Sequence, residues 1–287
     1  MVGAQRLAVG ILALCLLPVL ATNAAAAGVL DHLRQDKMLR IAYRIDAPPF
    51  SYQDGNGKPV GFIVSICQSV ANDLSRQIDV PSLSVSYVPV TAENRFDVIQ
   101  QGKADLLCEA TTATLSRRKI LDFSIATFVD GAGLMIASDG PQSLQAMAGR
   151  AIGVLGGTTT EQSLRNTLSQ AGIAADITPA ATHAEGLAML DAGKVSAYFA
   201  DRSILWVLRA NSKAPGRLQL ANEYLTVEPY ALALPRGDED FRLEVDRALS
   251  RIYRSGEIVQ IFSGSFGDGF QFSQELRDLY LLSALPD

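Results

Sequence analysis

In the first half of the chain, stretches where apolar residues alternate with polar ones, as in strands, are followed by stretches where apolar residues recur every three or four positions, as in helices. Ile66, Val70 and Leu74, for example, lie four residues apart and predict one face of a helix. The next helix is predicted to begin with a Thr91 cap and to end at Gly102. The predicted order is strand, helix, strand, helix, strand, over residues 37–44, 62–74, 84–90, 91–102 and 104–111. This βαβαβ order favours a parallel sheet with right-handed crossovers.

A second unit of the same kind follows after residue 130. Its first helix is predicted to end at Gly172. Thr182, with Glu185 three residues later, forms a capping box at the start of another helix. The predicted elements are a strand at 150–157, helices at 158–172 and 182–194, a strand at 195–201 and a final helical stretch at 241–262. Two α/β lobes are the simplest architecture for this order of elements.

The chain begins with a stretch that has the three parts of a secretory signal peptide. Arg6 supplies the early positive charge, residues 7–21 are almost wholly apolar, and an alanine cluster offers a cleavage zone near residues 25–27. A retained membrane anchor fits poorly because the apolar part is short and interrupted by a proline. Cys15 lies between leucines, whereas a lipoprotein signal requires a small residue before its cysteine. We therefore predict that residues 1–27 are removed on export.

Charge and composition disfavour nucleic acid as a partner. The net charge is −5, and loss of the leader's single cation lowers it to −6. The chain has no basic tail and only 7% aromatic residues, so it lacks the surface that nucleic-acid binding usually requires.

Two cysteines remain beyond the leader, Cys67 and Cys108. In an exported protein such a pair predicts one disulfide, and two buried thiols are the alternative. The two cysteines and two histidines lack metal-ligand spacing, so we predict no metal site and no other cofactor.

Residues with binding chemistry cluster where the predicted strands end. In open α/β sheets, ligands bind at the carboxyl ends of the strands. Those ends carry Arg44, residues 108–112, residues 156–160 and Asp201. A run of three cations at 117–119 follows the second of them, and alone it would be typical of an exposed helix start. Together, the four strand ends predict a small-molecule site.

Six segments carry a resemblance to a known family. In chain order they are "RIDAPPFSYQDGNGKPVGF", "PVTAENRFDVIQQGKADLLC", "TTATLSRRKILDFS", "GVLGGTTTEQSL", "MLDAGKVSAYFAD" and "PYALALPRGDEDFRLEVDRAL". Their order and spacing resemble the periplasmic amino-acid-binding proteins of ABC importers, solute-binding protein family 3, particularly the glutamate/aspartate-type branch. The resemblance implies a two-lobed type II (Venus-flytrap) fold in which the chain crosses between the lobes near 124–132 and 225–232. Lobe one would then comprise residues 28–127 and 230–287, and lobe two residues 128–229.

The resemblance also implies which residues hold the α-groups of an amino acid. Arg117 matches the arginine that grips the α-carboxylate, and a guanidinium can fork onto both of its oxygens. Thr112 would donate a hydrogen bond to the same carboxylate. Thr159 lies at a helix start whose backbone N–H groups suit an anion. Asp201 matches the carboxylate that pairs with the ligand's ammonium.

Arg44, Arg95 and His183 match the residues that hold the side-chain carboxylate in the glutamate/aspartate-type branch. Three arginines in the cleft of an acidic protein need anionic groups nearby to offset the cost of their desolvation. An acidic amino acid is therefore the expected ligand.

The chain departs from that branch at three positions. Ala92 and Ala110 stand where serines are usual, so two hydroxyl donors toward the ligand side chain are lost. Glu109 stands where glycine is usual, and its carboxylate either neutralises a nearby arginine or points behind the strand. These departures leave a longer or amide-bearing ligand as the alternative to glutamate or aspartate.

The resemblance implies a monomeric periplasmic protein that captures an amino acid, closes about a hinge and is read by a membrane ABC permease. No catalytic step is expected. A periplasmic arogenate or prephenate dehydratase shares this fold and is the leading alternative, followed by a stand-alone amino-acid sensor. Such dehydratases typically carry a glutamate shortly after the strand-end aspartate, whereas Arg202, Ser203 and Ile204 follow Asp201 here.

Overall fold

A computed structural model of the protein describes residues 28–267 and 270–286. The predicted signal peptide, residues 1–27, lies outside the described residues. The helices are α1 (Val29–Asp36), α2 (Phe62–Gln77), α3 (Arg95–Gln100), α4 (Thr159–Ala171), α5 (His183–Asp191), α6 (Arg202–Ala210), α7 (Glu239–Arg254), α8 (Glu257–Phe266) and α9 (Gln274–Ser283). Within the two described ranges, no helix is both long enough and apolar enough to cross a membrane.

The strands are short, and most of them are buried. They are β1 (Met38–Arg44), β2 (Asp46–Ala47), β3 (Ser51–Gln53), β4 (Pro59–Val60), β5 (Ser84–Val90), β6 (Leu106–Leu107), β7 (Asp122–Asp130), β8 (Ala132–Ala137), β9 (Ala151–Leu155), β10 (Asp176–Ala180), β11 (Ala197–Asp201), β12 (Leu218–Leu220) and β13 (Glu228–Leu234). The larger sheets have the orders β5-β1-β6-β13-β7 and β10-β9-β11-β8-β12, and β2, β3 and β4 form a small third sheet.

In each large sheet, the strands that the sequence predicts to be parallel are parallel. Strands β5, β1 and β6 are parallel in the first sheet, as are β10, β9 and β11 in the second. However, β13 and β8 run against both of their neighbours, so the sheets as wholes are mixed rather than parallel. The reason is connectivity, because the chain leaves the first sheet along β7 and returns to it along β13, and it enters the second sheet along β8 and leaves it after β12.

The predicted apolar face of α2 is confirmed. Ile66, Val70 and Leu74 are fully buried and belong to the same apolar core as Phe241 and Val245 of α7. Burial of each such side chain contributes about 1.5–3 kcal/mol relative to leaving it in water. This packing holds α2 and α7 together beside the first sheet.

Two predicted helix boundaries are wrong. Helix α3 begins at Arg95, because the side-chain oxygen of Asn94 accepts a hydrogen bond from Thr91 N at 2.9 Å and closes a turn. The final helical stretch breaks at Gly256, whose φ of 77° places it in the left-handed region and divides α7 from α8. Glycine enters that region without the steric cost that other residues meet.

The end of α4 and the start of α5 agree with the sequence, whereas α5 ends at Asp191, three residues earlier than predicted. Helix α4 ends before Gly172, which caps it in the left-handed conformation with φ 64°. At the start of α5, Thr182 Oγ1 accepts a hydrogen bond from Glu185 N at 3.1 Å. The Glu185 carboxylate in turn accepts a hydrogen bond from Ala181 N at 2.7 Å. These bonds fix the position of His183, the first residue of α5.

Cys67 and Cys108 form the predicted disulfide. It joins α2 to the residue that follows β6 and closes a loop with a sequence separation of 41. In the chain-entropy account, a loop of that length is worth about 4 kcal/mol of stability. The bond also fixes the backbone beside Glu109.

The predicted lobe limits, 28–127 with 230–287 and 128–229, stay a prediction. The first large sheet draws its strands from residues 38–130 and 228–234, and the second from residues 132–220.

Candidate functional site

One cavity is lined from both large sheets, at the strand ends that the sequence singles out. Its free volume is about 30 Å³, whereas pockets for bound ligands usually hold roughly 300–1,000 Å³. A ligand of amino-acid size therefore requires the walls to move apart. The cavity brings together every residue predicted to bind the ligand: Arg44, Arg95, Thr112, Arg117, Thr159, His183 and Asp201. Their roles in binding stay predictions.

Arg117 begins a short 3₁₀ turn, and its guanidinium points into the cavity. Its Nη1 donates a hydrogen bond to the Thr112 carbonyl oxygen at 2.8 Å. Its Cζ lies 4.9 Å from the centre of the Phe96 ring, close enough for a cation–π contact. Burial lowers the pKa of Arg117, against the nearby carboxylate charges. By contrast, Arg118 and Lys119 are exposed.

Thr112 and Thr159 meet across the cavity, where their hydroxyl oxygens lie 3.3 Å apart. Both donate hydrogen bonds to Oε2 of the buried Glu228, from Thr112 at 2.6 Å and from Thr159 at 3.1 Å. Thr159 is the first residue of α4, and Thr158 caps that helix. A helix start leaves backbone N–H groups without intrahelical partners, so an anion can bind there.

Asp201 ends β11, and its carboxylate accepts two hydrogen bonds. Tyr230 Oη donates to its Oδ2 at 2.6 Å, and Thr160 Oγ1 donates to its Oδ1 at 3.3 Å. Burial raises the pKa of Asp201 well above its ordinary value, and the neighbouring carboxylates of Asp130 and Glu228 raise it further. A cation placed beside this carboxylate would therefore be strongly favoured.

Arg44 and Arg95 are buried and already face carboxylates. Arg44 Nε and Nη2 donate to Asp46 Oδ1 at 2.9 and 2.6 Å. Glu109 Oε2 lies 3.7 Å from Arg44 Nη1, and Glu109 Oε1 lies 3.2 Å from Arg95 Nε. Burial lowers the pKa of Arg95 to about 10, and the charge of Glu109 opposes that shift. Of the two orientations open to Glu109, the structure shows the one that neutralises arginines.

His183 lies at the same end of the cavity and is fully buried. Its Nδ1 is 3.0 Å from the Tyr198 hydroxyl, and its backbone N–H donates to Asp46 Oδ2 at 3.4 Å. Burial, together with the positive charge of Arg44, lowers the pKa of His183 to about 4. The imidazole is therefore neutral at neutral pH and offers a hydrogen bond rather than a charge.

Sequence reasoning missed several residues of this network. Asp46 stands two residues after Arg44, and Thr160 directly follows Thr159, so their proximity was a usable signal. Phe96 follows Arg95, but nothing in the sequence shows that its ring lies below two guanidiniums. Glu228 and Tyr230 come from β13, which reaches the site from far along the chain.

Comparisons with known proteins agree on the kind of molecule. Residues 39–268 match the family model of bacterial extracellular solute-binding proteins, family 3. The chain is 27% identical over 266 residues to the glutamate/aspartate import solute-binding protein of Salmonella typhimurium, spanning 89% of this chain and 88% of that protein. It is 31% identical over 228 residues to the glutamate/glutamine/aspartate/asparagine-binding protein of Rhodobacter capsulatus, spanning 78% and 66%.

A solved structure extends the similarity to the fold. An ABC transporter periplasmic binding protein from Brucella ovis, solved with glutathione bound, superposes with a TM-score of 0.74 at 26% identity. The match covers 91% of this chain and 81% of that one. The two-lobed α/β fold predicted from the sequence is thereby confirmed.

Proposed function

The chain belongs to the bacterial extracellular solute-binding proteins of family 3, and on that premise we propose that it captures an amino acid between its two large sheets and delivers it to an ABC permease. One observation carries the proposal. Four strand ends bring an arginine, two threonine hydroxyls, a helix start and the buried Asp201 carboxyl group to one cavity. This set matches the two charged α-groups that every free amino acid carries.

The α-carboxylate is assigned to Arg117 and the start of α4. The guanidinium offers a forked pair of N–H donors, and its only close polar contact among the described residues is the Thr112 carbonyl. The backbone N–H groups at the start of α4 lie close to the same point. The hydroxyls of Thr112 and Thr159 donate to Glu228 in this structure and would turn from it to donate to the ligand.

The α-ammonium is assigned to Asp201. Tyr230 and Thr160 donate to its two oxygens and so orient the carboxylate toward the cavity. The neighbouring charges that raise its pKa are those of carboxylates. An arriving ammonium would supply the missing positive charge and restore the ionised form of Asp201.

The ligand side chain is assigned to the end formed by Arg44, Arg95 and His183. The sequence predicts glutamate or aspartate at this end. Relatives named for these acids support that assignment, and a relative named for the acids and their amides widens it. We therefore propose an amino acid whose side chain ends in a carboxylate or a carboxamide.

Capture is proposed to close the two lobes about the crossings near 124–132 and 225–232. Glu228 supports this assignment, because it lies within the second predicted crossing and accepts hydrogen bonds from both Thr112 and Thr159. The proposal places the protein in the periplasm as a monomer, after removal of residues 1–27. It includes no catalytic step, and the permease reads the closed, ligand-bound form.

The test is calorimetric titration of the exported protein, stripped of ligand by unfolding and refolding, against each common amino acid. We expect saturable binding of one or a few polar amino acids at a stoichiometry of about one, as one cleft allows. Absence of binding by every amino acid, in protein shown to be folded, would refute the proposal. Turnover of arogenate or prephenate by the same preparation would favour the dehydratase alternative.

A further inference from the structure

Glu109 contacts both arginines that are assigned to the ligand side chain. Its Oε1 lies 3.2 Å from Arg95 Nε, and its Oε2 lies 3.7 Å from Arg44 Nη1. Asp46 separately accepts two hydrogen bonds from Arg44. This end of the cavity therefore holds two guanidiniums and two carboxylates before any ligand arrives.

The Glu109 carboxylate is also fixed in place. Its residue is 1% exposed, and Arg44 and Arg95 are each 3% exposed, so water screens these charges poorly. The Thr111 hydroxyl donates a hydrogen bond to Glu109 Oε1. The preceding residue, Cys108, is held by its disulfide to α2. The carboxylate consequently cannot swing away from the arginines without loss of several contacts.

We propose that Glu109 sets the side-chain selectivity of the site, so that the preferred ligand carries a neutral carboxamide rather than a carboxylate. This inference rests on the proposed function. A ligand carboxylate would bring a third negative charge to two arginines and would offer Glu109 only acceptor oxygens. A carboxamide suits the pair better, because its oxygen accepts from a guanidinium and its NH₂ group donates to the Glu109 carboxylate. A cationic side chain would face both guanidiniums.

The first test compares isosteric ligands on the unmodified exported protein. Calorimetry at neutral pH should show glutamine binding more tightly than glutamate, or asparagine more tightly than aspartate, by about tenfold or more, as like-charge juxtaposition predicts. An acid that binds as tightly as its amide would overturn the inference. So would arginine or lysine as the tightest ligand.

The second test removes the charge from Glu109. In Glu109→Gln the preference for the amide over the acid should fall by about tenfold, because the like-charge repulsion is gone. The matched control is Glu93→Gln, which removes the same charge from an exposed position in the neighbouring turn and should leave the preference unchanged. Glu109→Asp retains the carboxylate and should retain the preference.

These results separate the inference from the proposed function. Glu109→Gln could bind amino acids with the same ratio of affinities for acid and amide as the unmodified protein. That result would overturn the role of Glu109 and leave the binding function intact. Failure of every amino acid to bind the folded, unmodified protein would overturn both. The ratio measured on the unmodified protein decides the matter if Glu109→Gln does not fold.

Discussion

The two ends of the cavity differ in how their charged side chains are paired. We call the end with Arg117 and Asp201 the α-group end, and the end with Arg44, Arg95 and His183 the side-chain end. At the α-group end, Arg117 contacts a carbonyl oxygen and an aromatic ring, and Asp201 contacts two hydroxyls. At the side-chain end, Arg44 and Arg95 already face the carboxylates of Asp46 and Glu109. Within the described residues, Arg117 therefore has carboxylates nearby but none in direct contact, whereas Arg44 and Arg95 each have one within 4 Å.

This difference separates affinity from selectivity. A buried charge without a partner is costly, so a ligand that supplies both an α-carboxylate and an α-ammonium relieves two costs at once. A side chain at the balanced end relieves no such cost, and there the pattern of donors and acceptors decides between ligands. We therefore expect the α-group end to provide most of the binding energy.

The largest expected effect comes from removing the cation of the α-group end. Arg117→Ala should weaken binding of any amino acid by at least about 2–5 kcal/mol, since a buried carboxylate would lose its partner. Calorimetry measures the loss. The control is Arg118→Ala, an exposed neighbour that should bind normally. Equal affinities of the two variants would contradict the assignment.

The second effect is the contribution of the disulfide, which adjoins the side-chain end, to the stability of the fold. The double variant Cys67→Ser, Cys108→Ser should lose about 4 kcal/mol of unfolding free energy, because the unfolded chain gains entropy. Urea unfolding measures this loss. Wild-type protein unfolded in the presence of reductant should behave like the variant. If neither the double variant nor the reduced wild-type protein lost unfolding free energy, the disulfide would not stabilise the fold through chain entropy.

The sequence could predict the α-group end better than the side-chain end, for a physical reason. Asp201 ends a regular strand, where period and sheet topology give its position. Glu109 lies beyond the two-residue strand β6, and outside a regular strand no alternation tells which way its side chain points. Glu228 and Tyr230 reach the site through the register of an antiparallel strand, which the sequence does not specify.

The third effect is a pH dependence that originates at the α-group end. Burial, with the charges of Asp130 and Glu228, raises the pKa of Asp201 to about 8, from an ordinary value of 3.8. The folded protein therefore binds this proton more tightly than the unfolded chain does. The resulting stabilisation is complete below the pKa of the unfolded state and is lost as pH rises through the pKa of the folded state. The unfolding free energy of the ligand-free protein should then fall by up to about 1.4 kcal/mol per pH unit on approach to that pKa.

Burial also raises the pKa of Asp130, to about 6, which gives a slope of the same sign, so two comparisons assign the slope measured at higher pH to Asp201. The pKa of His183 is lowered to about 4, so its titration makes the unfolding free energy rise between pH 4 and pH 6.5. The dependence of the unfolding free energy on pH is therefore measured above pH 6.5. Asp201→Asn should flatten the slope in denaturant unfolding, and Glu185→Gln, at an exposed carboxylate, should not. Ligand affinity should rise over the same pH window, since an ammonium favours ionised Asp201. The same slope in wild type and Asp201→Asn would contradict the shift.

The smallest effect shows whether the backbone N–H groups of α4 or the Thr159 hydroxyl is the main donor to the ligand's α-carboxylate. If the backbone N–H groups of α4 hold the α-carboxylate, the Thr159 hydroxyl is an auxiliary donor that also bonds Glu228 at 3.1 Å. Thr159→Val keeps the side-chain shape and should cost about 0.5–1.5 kcal/mol of affinity, the value of one hydrogen bond. Thr159→Ser keeps the hydroxyl and should bind like wild type. A loss for Thr159→Val as large as that for Arg117→Ala would show that the hydroxyl, rather than the backbone, is the main partner of the ligand at this end.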